Sequence, residues 1–403
     1  MERRVPNASP LRARTNQGLA AEDATHDAAA LWGLPDFVFR AGIRKVGSGV
    51  RELGDGILLV GTLGMVVQVK SRVAPSADLD RERRWVMKQT KKALAQAQGT
   101  IRQLREEPAL MTNARGRMIE VDGNEYRWIT VVVIDHADAP TEVRPDLTDI
   151  RDPAVVLLRR DWEFIFNQLK STHAVGVYFE RVASDSIELG MEPARYYEIA
   201  NSAAHAEPDP FDHALLVEGA ELFSGPLFPL APAASEDLPA HHLLRSIFED
   251  IALVSLTRAT ESDRLRALAA LDQLPVSQRA EIGNFLLRAF ASVATEPPPG
   301  VKWQLRTVRG AQQIHFAFGA ASRYSHEIQS GFSAWAQLRH HELHEITGDN
   351  ALTTVAVLLT PRADGTREWD TTLSAMTGDL KLTDEELAAY RAVWGNAGES
   401  RAA

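Results

Sequence analysis

Glu52–Arg72 reads ELGDGILLVGTLGMVVQVKSR, and the reading of the whole chain starts from it. Asp55 opens one apolar run, Gly61-Thr62-Leu63-Gly64 makes a turn, and a second apolar run carries Gln68 and Lys70. The pattern predicts a β-hairpin with an acid on one strand and a Gln-x-Lys pair on the other. Strand side chains alternate, so Gln68 and Lys70 share a face while Met65, Val67 and Val69 take the opposite one. An acid, an amide oxygen and an amine gathered on one sheet edge suit a divalent cation beside a phosphate.

Outward from the hairpin, Asp80–Glu107 has Val86, Ala93, Leu94, Ala97, Ile101 and Leu104 at helical spacing, and Pro108 ends it. Arg127–Asp135 and Ala154–Leu158 are dense in β-branched and aliphatic residues, which predicts strands buried on both faces. Asp161 is placed to cap the helical segment after it, and Ala174–Val182 follows as another helix. Upstream, Ile43–Val50 is a strand or loop. Ala28–Phe39 is a short helix broken by Gly33 and Pro35, and residues 1–25 are expected to be a flexible arm. The order is that of an α/β fold, a mixed sheet flanked by helices over residues 26–204. Residues 205–240 are rich in proline and acids and read as a linker. Residues 241–403 read as an α+β accessory domain: helices near 241–257, 262–272, 276–294 and 323–346, three strands, and a last helix opened by the capping box Thr383–Glu386.

At 403 residues the chain exceeds what one core usually organises. Zero cysteines exclude disulfides, thiolate zinc sites and cysteine nucleophiles. No apolar run approaches the roughly 20 residues that span a bilayer, and the basic N-terminus has no apolar core of a secretory signal. A cytoplasmic protein without membrane contact is expected. The net charge of −10 argues against a surface coated for nucleic acid, yet a local basic patch remains compatible with it.

Such a patch lies on the long helix. Arg81, Arg83, Arg84, Lys88, Lys91, Lys92, Arg102 and Arg105 sit there, with Glu82 the one acid between Arg81 and Arg105. Arg84, Lys88, Lys91 and Lys92 fall opposite the apolar stripe, with Trp85 beside them. Solvated helix faces usually mix signs, and this one does not. It is therefore expected to contact DNA phosphates without reading sequence.

Asp55, Gln68 and Lys70, followed by the long helix, resemble the restriction-endonuclease-like PD-(D/E)XK nuclease superfamily. The likeness is to its Gln-x-Lys groups, Mrr-like or NERD-like. It covers residues 25–185 by element order and about 20 residues by motif. The resemblance implies Mg²⁺ (or Mn²⁺) held by Asp55 and Gln68, with Lys70 as the catalytic amine at the scissile phosphate. It further implies DNA hydrolysis in restriction, antiviral defence or repair. Two departures stand out. Gly54 replaces the proline of the name motif, and Gln68 stands where an acid is preferred. Glu52 is the nearest acid to complete the site, although 52 and 55 lie on opposite faces of a regular strand unless Gly54 bends it. Glu22, Asp23 and Asp36 are the alternatives. A nuclease fold without catalysis, serving as a nucleic-acid- or partner-binding module, is the rival reading. The C-terminal domain is expected to meet a protein partner or a second copy of the chain.

Other constellations fail. His340-His341-Glu342-Leu343-His344-Glu345 mimics HExxH, but the residue after His340 is His, so the general base is lost. A zinc pair from His340 and His344 needs a remote third ligand. No phosphate loop, dinucleotide fingerprint or serine elbow is present.

Overall fold

The computed structural model describes residues 8–395 apart from 13–15, 41–42, 47–48, 53–54, 141, 205–233, 257–258, 295–299, 311–312 and 363–367. It is mixed α/β, and the chain divides into two compact units, whose described residues run to 204 and from 234 onward. The expected linker falls mostly outside the described residues.

The first unit opens on helix α1 (Gln17–Trp32), so the last nine residues of the expected flexible arm, 17–25, are helical. Asn16 caps the helix, its Oδ1 accepting from the amides of Gly18 and Leu19. The buried face is made of Ala20, Ala21, Thr25 and Ala29, too small to register as an apolar stripe in sequence. Strands β1 (Val38–Arg40), β2 (Ile43–Val46), β3 (Gly49–Glu52), β4 (Gly56–Val60) and β5 (Leu63–Ser71) follow, then helix α2 (Leu79–Glu106). After it come β6 (Ala109–Asn113), β7 (Met118–Val121), β8 (Arg127–Asp135), β9 (Ala154–Leu158), and helices α3 (Arg159–Leu169), α4 (Thr172–Val182) and α5 (Glu192–Ala204). Asp161 does not cap α3. The N-cap position is Leu158, without a side-chain bond, and Asp161 is buried inside the first turn.

Seven strands form one sheet in the order β7-β6-β1-β4-β5-β8-β9, while β2 and β3 pair only with each other. β5, β8 and β9 run parallel and the remaining neighbours antiparallel. The alternation of β5 sorts the core. Met65, Val67 and Val69 join Val131 and Val133 under α1, α3, α4 and α5. The other face is covered by α2, with Val86, Ala93 and Leu94 against Val132 and Ile134, and Ala97, Ile101 and Leu104 against Val66 and Trp128. The strands that the sequence pattern does not reveal, β1, β6 and β7, are short and lie on the antiparallel side.

In the second unit, helices α6 (Leu238–Leu253), α7 (Glu261–Asp272) and α8 (Val276–Ala294) precede strands β10 (Trp303–Arg309) and β11 (Ile314–Ala321). Helix α9 (His326–Thr347), strands β12 (Thr353–Pro361) and β13 (Trp369–Thr377), and helix α10 (Asp384–Trp394) complete it. The four strands lie in chain order, with β11 and β12 parallel and both outer pairs antiparallel. Phe332, Trp335 and Leu338 of α9 pack with Ala317, Ala356 and Leu358, while Ala320 packs with Ala289 and Val293 of α8. Among the described residues no helix is long and apolar enough to cross a membrane.

Candidate functional site

Among the described residues β4 pairs with β5 from Gly56 opposite Val67, and the last four residues of β5 run past that pair. Asp55 immediately precedes Gly56. Its Oδ2 accepts from the Val69 amide at 2.7 Å and from Lys70 Nζ at 3.3 Å. Lys70 Nζ also donates to Gln68 Oε1 at 3.4 Å and to the Val69 carbonyl at 3.1 Å. The acid, the amide and the amine therefore meet around one ammonium. The side chains of Lys70 and Asp55 keep 16% and 21% of their exposure, whereas Gln68 is buried at 1%. Gln68 Nε2 is buried with no hydrogen-bond partner, a donor left unsatisfied at a site that needs an explanation.

The acids offered to complete the site separate clearly. Glu52 ends β3, whose partner is β2 through Ile43, so it does not share a strand with Asp55; the bend at residues 53–54 lies outside the described residues. Asp36 is fully buried and neutralised by Arg115 and by Arg117 at 2.8 Å, an internal ion cluster under β6 and β7. Glu22 is half-buried on α1. Asp23 stands one turn before His26, and its charge and that of Asp55 both act on that imidazole. Burial, followed by Arg40, nevertheless holds the His26 pKa below its ordinary value. His26 Nε2 lies against Gly56, where an added Cβ would sit 2.1 Å away, so only glycine fits beside Asp55. Asp23, whose carboxylate pairs with Arg40 at 3.8 Å, thus shares His26 with Asp55 as an electrostatic neighbour. Among the described residues no group of three or more His, Asp or Glu gathers to hold a metal ion.

Immediately after Lys70 the chain is pinned. Ser71 Oγ donates to Asp135 Oδ2 at 2.8 Å, and Arg159 Nε donates to the other oxygen of Asp135 at 2.8 Å. Arg72 grips Glu82 of α2 with two bonds of 2.8 and 2.7 Å. Glu82 also accepts from the Ser76 amide at 2.9 Å and from His136 Nε2 at 3.0 Å. Four donors saturate a carboxylate. The Arg72 bonds first, with Ser76 and His136 adding, hold the Glu82 carboxyl far below the usual range against the opposing effect of burial. Trp85 packs edge-on against His136 and lies 5.4 Å beneath the Arg72 guanidinium. Read as one acid within a basic helix face, Glu82 gives no hint of this role. A signal is nonetheless present: Glu82, Val86, Thr90, Ala93 and Ala97 share one helical face, and all are buried.

With Glu82 turned inward, acids from elsewhere in the chain approach this side of α2: Glu142 pairs with Arg83 at 3.2 Å, and the Lys91 charge acts on Asp146. Arg84, Lys88, Lys91 and Lys92 are all exposed, and none is in an ion pair among the described residues. Because α2 follows β5 and its Glu82 meets the residues that leave β5 and β8, this basic half lies at the Lys70 end of the sheet. Its cations point away from the strands.

The histidines of α9 have a different use. His340 is fully buried, and its Nε2 meets the Gly378 carbonyl at 2.8 Å, so that nitrogen carries a proton. In the neutral ring Nδ1 then accepts from Thr354 Oγ1 at 2.7 Å, and Thr354 Oγ1 accepts from His315 Nδ1 at 3.1 Å. Burial pushes the His315 pKa down to about 3 and also lowers that of His340. His344 lies away from this chain and faces Asn350. His340 is a hydrogen-bonded core residue, and the zinc pair with His344 does not form.

Comparison with family models, with curated proteins and with solved structures gives no match, so the reading of the site rests on its own geometry.

Proposed function

We propose that the first unit is a metal-dependent nuclease that hydrolyses DNA phosphodiester bonds, of the kind used in restriction, antiviral defence or repair. The observation that carries this is the convergence of Asp55, Gln68 and Lys70 at the carboxyl end of β5. The donor set fits Mg²⁺ or Mn²⁺: hard oxygens from one carboxylate and one amide, with water and substrate phosphate filling the remaining positions, as such ions accept. Asp55 and Gln68 would hold the ion. When bound, it supplies polarisation of a phosphoryl oxygen and an acidified water. Lys70 then exchanges one of its three oxygen contacts for the scissile phosphate and stabilises the charge that develops there. Arg84, Lys88, Lys91 and Lys92 hold the backbone.

The test is plasmid nicking in Mg²⁺ or Mn²⁺ by wild type, Lys70→Ala and Asp55→Ala. Cleavage by wild type that both substitutions abolish is the expected result. One observation favours a second reading, a nuclease fold that binds without cutting: among the described residues one carboxylate takes part in this convergence. Metal-independent DNA binding, with no cleavage of single-stranded DNA, double-stranded DNA or RNA, would select it.

A further inference from the structure

Chemistry at Lys70 does not explain why the two residues after it are tied so heavily. Ser71 is fixed to Asp135, and the Arg72 amide extends the β5–β8 ladder by bonding the Asp135 carbonyl at 2.9 Å. The Arg72 side chain then closes on Glu82, which is 1% exposed. The same carboxylate collects His136, the first residue beyond β8, and the amide of Ser76 in the connection to α2. One buried anion therefore joins the exit of β5, the exit of β8, the connecting loop and the first turn of α2. Lys70 is two residues from one arm of this knot, and Arg81 and Arg84 of the basic face flank Glu82 itself.

The end of β5 beside β4 shows why such a knot matters. Lys70 and Val69 lie beyond the last described pair of β4 and β5, and among the described residues the contact on that side is the Asp55 carboxylate. A strand end whose amide bonds a side chain opens more easily than one in a backbone ladder unless it is anchored. We infer that Glu82 is a positioning residue: it sets the Lys70 amine against Asp55 and fixes its register to the phosphate-gripping face of α2. The Arg72 fork provides direction, since a planar guanidinium on a carboxylate admits one geometry and an ammonium many. The kinetic consequence rests on the nuclease reading. The geometric one does not.

Two measurements on the full chain test it, with Glu82→Gln as the main variant and Arg72→Lys as the milder one that keeps both charges. The first is hydrogen exchange at the Val69 amide, which reports the Asp55 contact and touches neither substituted side chain. The second is plasmid cleavage in Mn²⁺, with kcat normalised to folded protein. Glu82→Gln is expected to speed Val69 exchange at least about 10-fold while β4 amides keep their rates. It should lower kcat roughly 10- to 100-fold with KM little changed, the size expected when a reacting group drifts by about 1 Å. Arg72→Lys should fall between. A purely structural role would lower the folded fraction and leave kcat per folded molecule alone. An unchanged Val69 amide overturns the inference whatever the activity, and so does an unchanged kcat where wild type cleaves. If wild type cuts nothing, the nuclease reading fails and the exchange result alone decides. If Glu82→Gln does not fold, Arg72→Lys is judged by the same two criteria.

Discussion

The two sheets treat buried polarity in opposite ways. In the first unit Lys70, Ser71, Arg72, Asp135 and His136 cluster where the parallel strands β5 and β8 end, and most of them are charged. In the second, His315 and Thr354 sit at the start of the parallel strands β11 and β12, in a neutral hydrogen-bond chain closed by Gly378. Open α/β sheets bind ligands beyond the carboxyl ends of their strands, because loops and helix starts converge there. The first cluster is at that end and keeps partial exposure at Asp55 and Lys70. The second is at the amino end, with His340 fully buried. Position along the strand thus separates the partly exposed cluster, where we propose chemistry, from a buried device for packing.

The sharpest way to break this comparison is to substitute one residue in each cluster. Lys70→Ala should lower metal-dependent cleavage about 100- to 1000-fold, the loss expected when one group stabilising transition-state charge is removed. Denaturant unfolding should barely change, since the bonds that Lys70 makes are long and partly exposed. Thr354→Val should do the reverse. It keeps the shape, removes the hydroxyl and strands both imidazole Nδ1 atoms, which costs about 1–3 kcal/mol of stability. A Lys70→Ala protein that unfolds, or a Thr354→Val protein as stable as wild type, would erase the distinction.

Acid should separate the units next. His315 titrates near 3 in the fold against 6.5 ordinarily, and His340 is also lowered, both mainly by burial. Below pH 6.5 the unfolded chain therefore binds more protons than the folded one. The stability these rings contribute is complete above pH 6.5 and declines as pH falls toward 3, by at most about 1.4 kcal/mol per pH unit for each ring. Glu82 is also lowered, but from 4.5, so its contribution is complete above that value and declines only below it. His26 of the first unit is lowered in the same way, so between pH 6.5 and 4.5 the second unit, with two such rings against one, should weaken more. Limited proteolysis at pH 5, mapped by mass spectrometry, should show new cuts after residue 234 before any appear in β5 or α2.

Much of this is legible in the chain. Arg127–Asp135 and Ala154–Leu158 match β8 and β9 to the residue because doubly buried strands leave uninterrupted apolar runs. Asp55, Gln68 and Lys70 are readable because alternation alone puts the last two on one face. Helix α1 is not, since alanine packs closely without an apolar signature, although Asn16 before Gln17 marks its start. β13 is hidden by its many half-buried polar residues, and Asp36 by a pairing with Arg115 and Arg117 some 80 residues away. Such partners are set by sheet order, which no local pattern encodes. The role of Glu82 lies between these cases: its place on the buried stripe is visible, its four donors are not.

The smallest expected effect concerns the face that the first unit turns to solvent. Arg84, Lys88, Lys91 and Lys92 are exposed and outside any ion pair among the described residues, so substituting them removes charge and little packing. Each phosphate no longer neutralised should flatten the plot of log binding constant against log salt by about 0.9 on duplex DNA, or about 0.7 on a single strand. Changing Lys88, Lys91 and Lys92 to Gln together should therefore reduce the slope by up to about 2.7 on duplex, uniformly across sequences. The matched control lies further along α2, where Glu106 already answers Arg102 at 3.8 Å. Arg102→Gln should leave the slope alone. Equal slopes for the triple variant and the control would mean that phosphates bind elsewhere, and that the basic face of α2 is only a solvated surface.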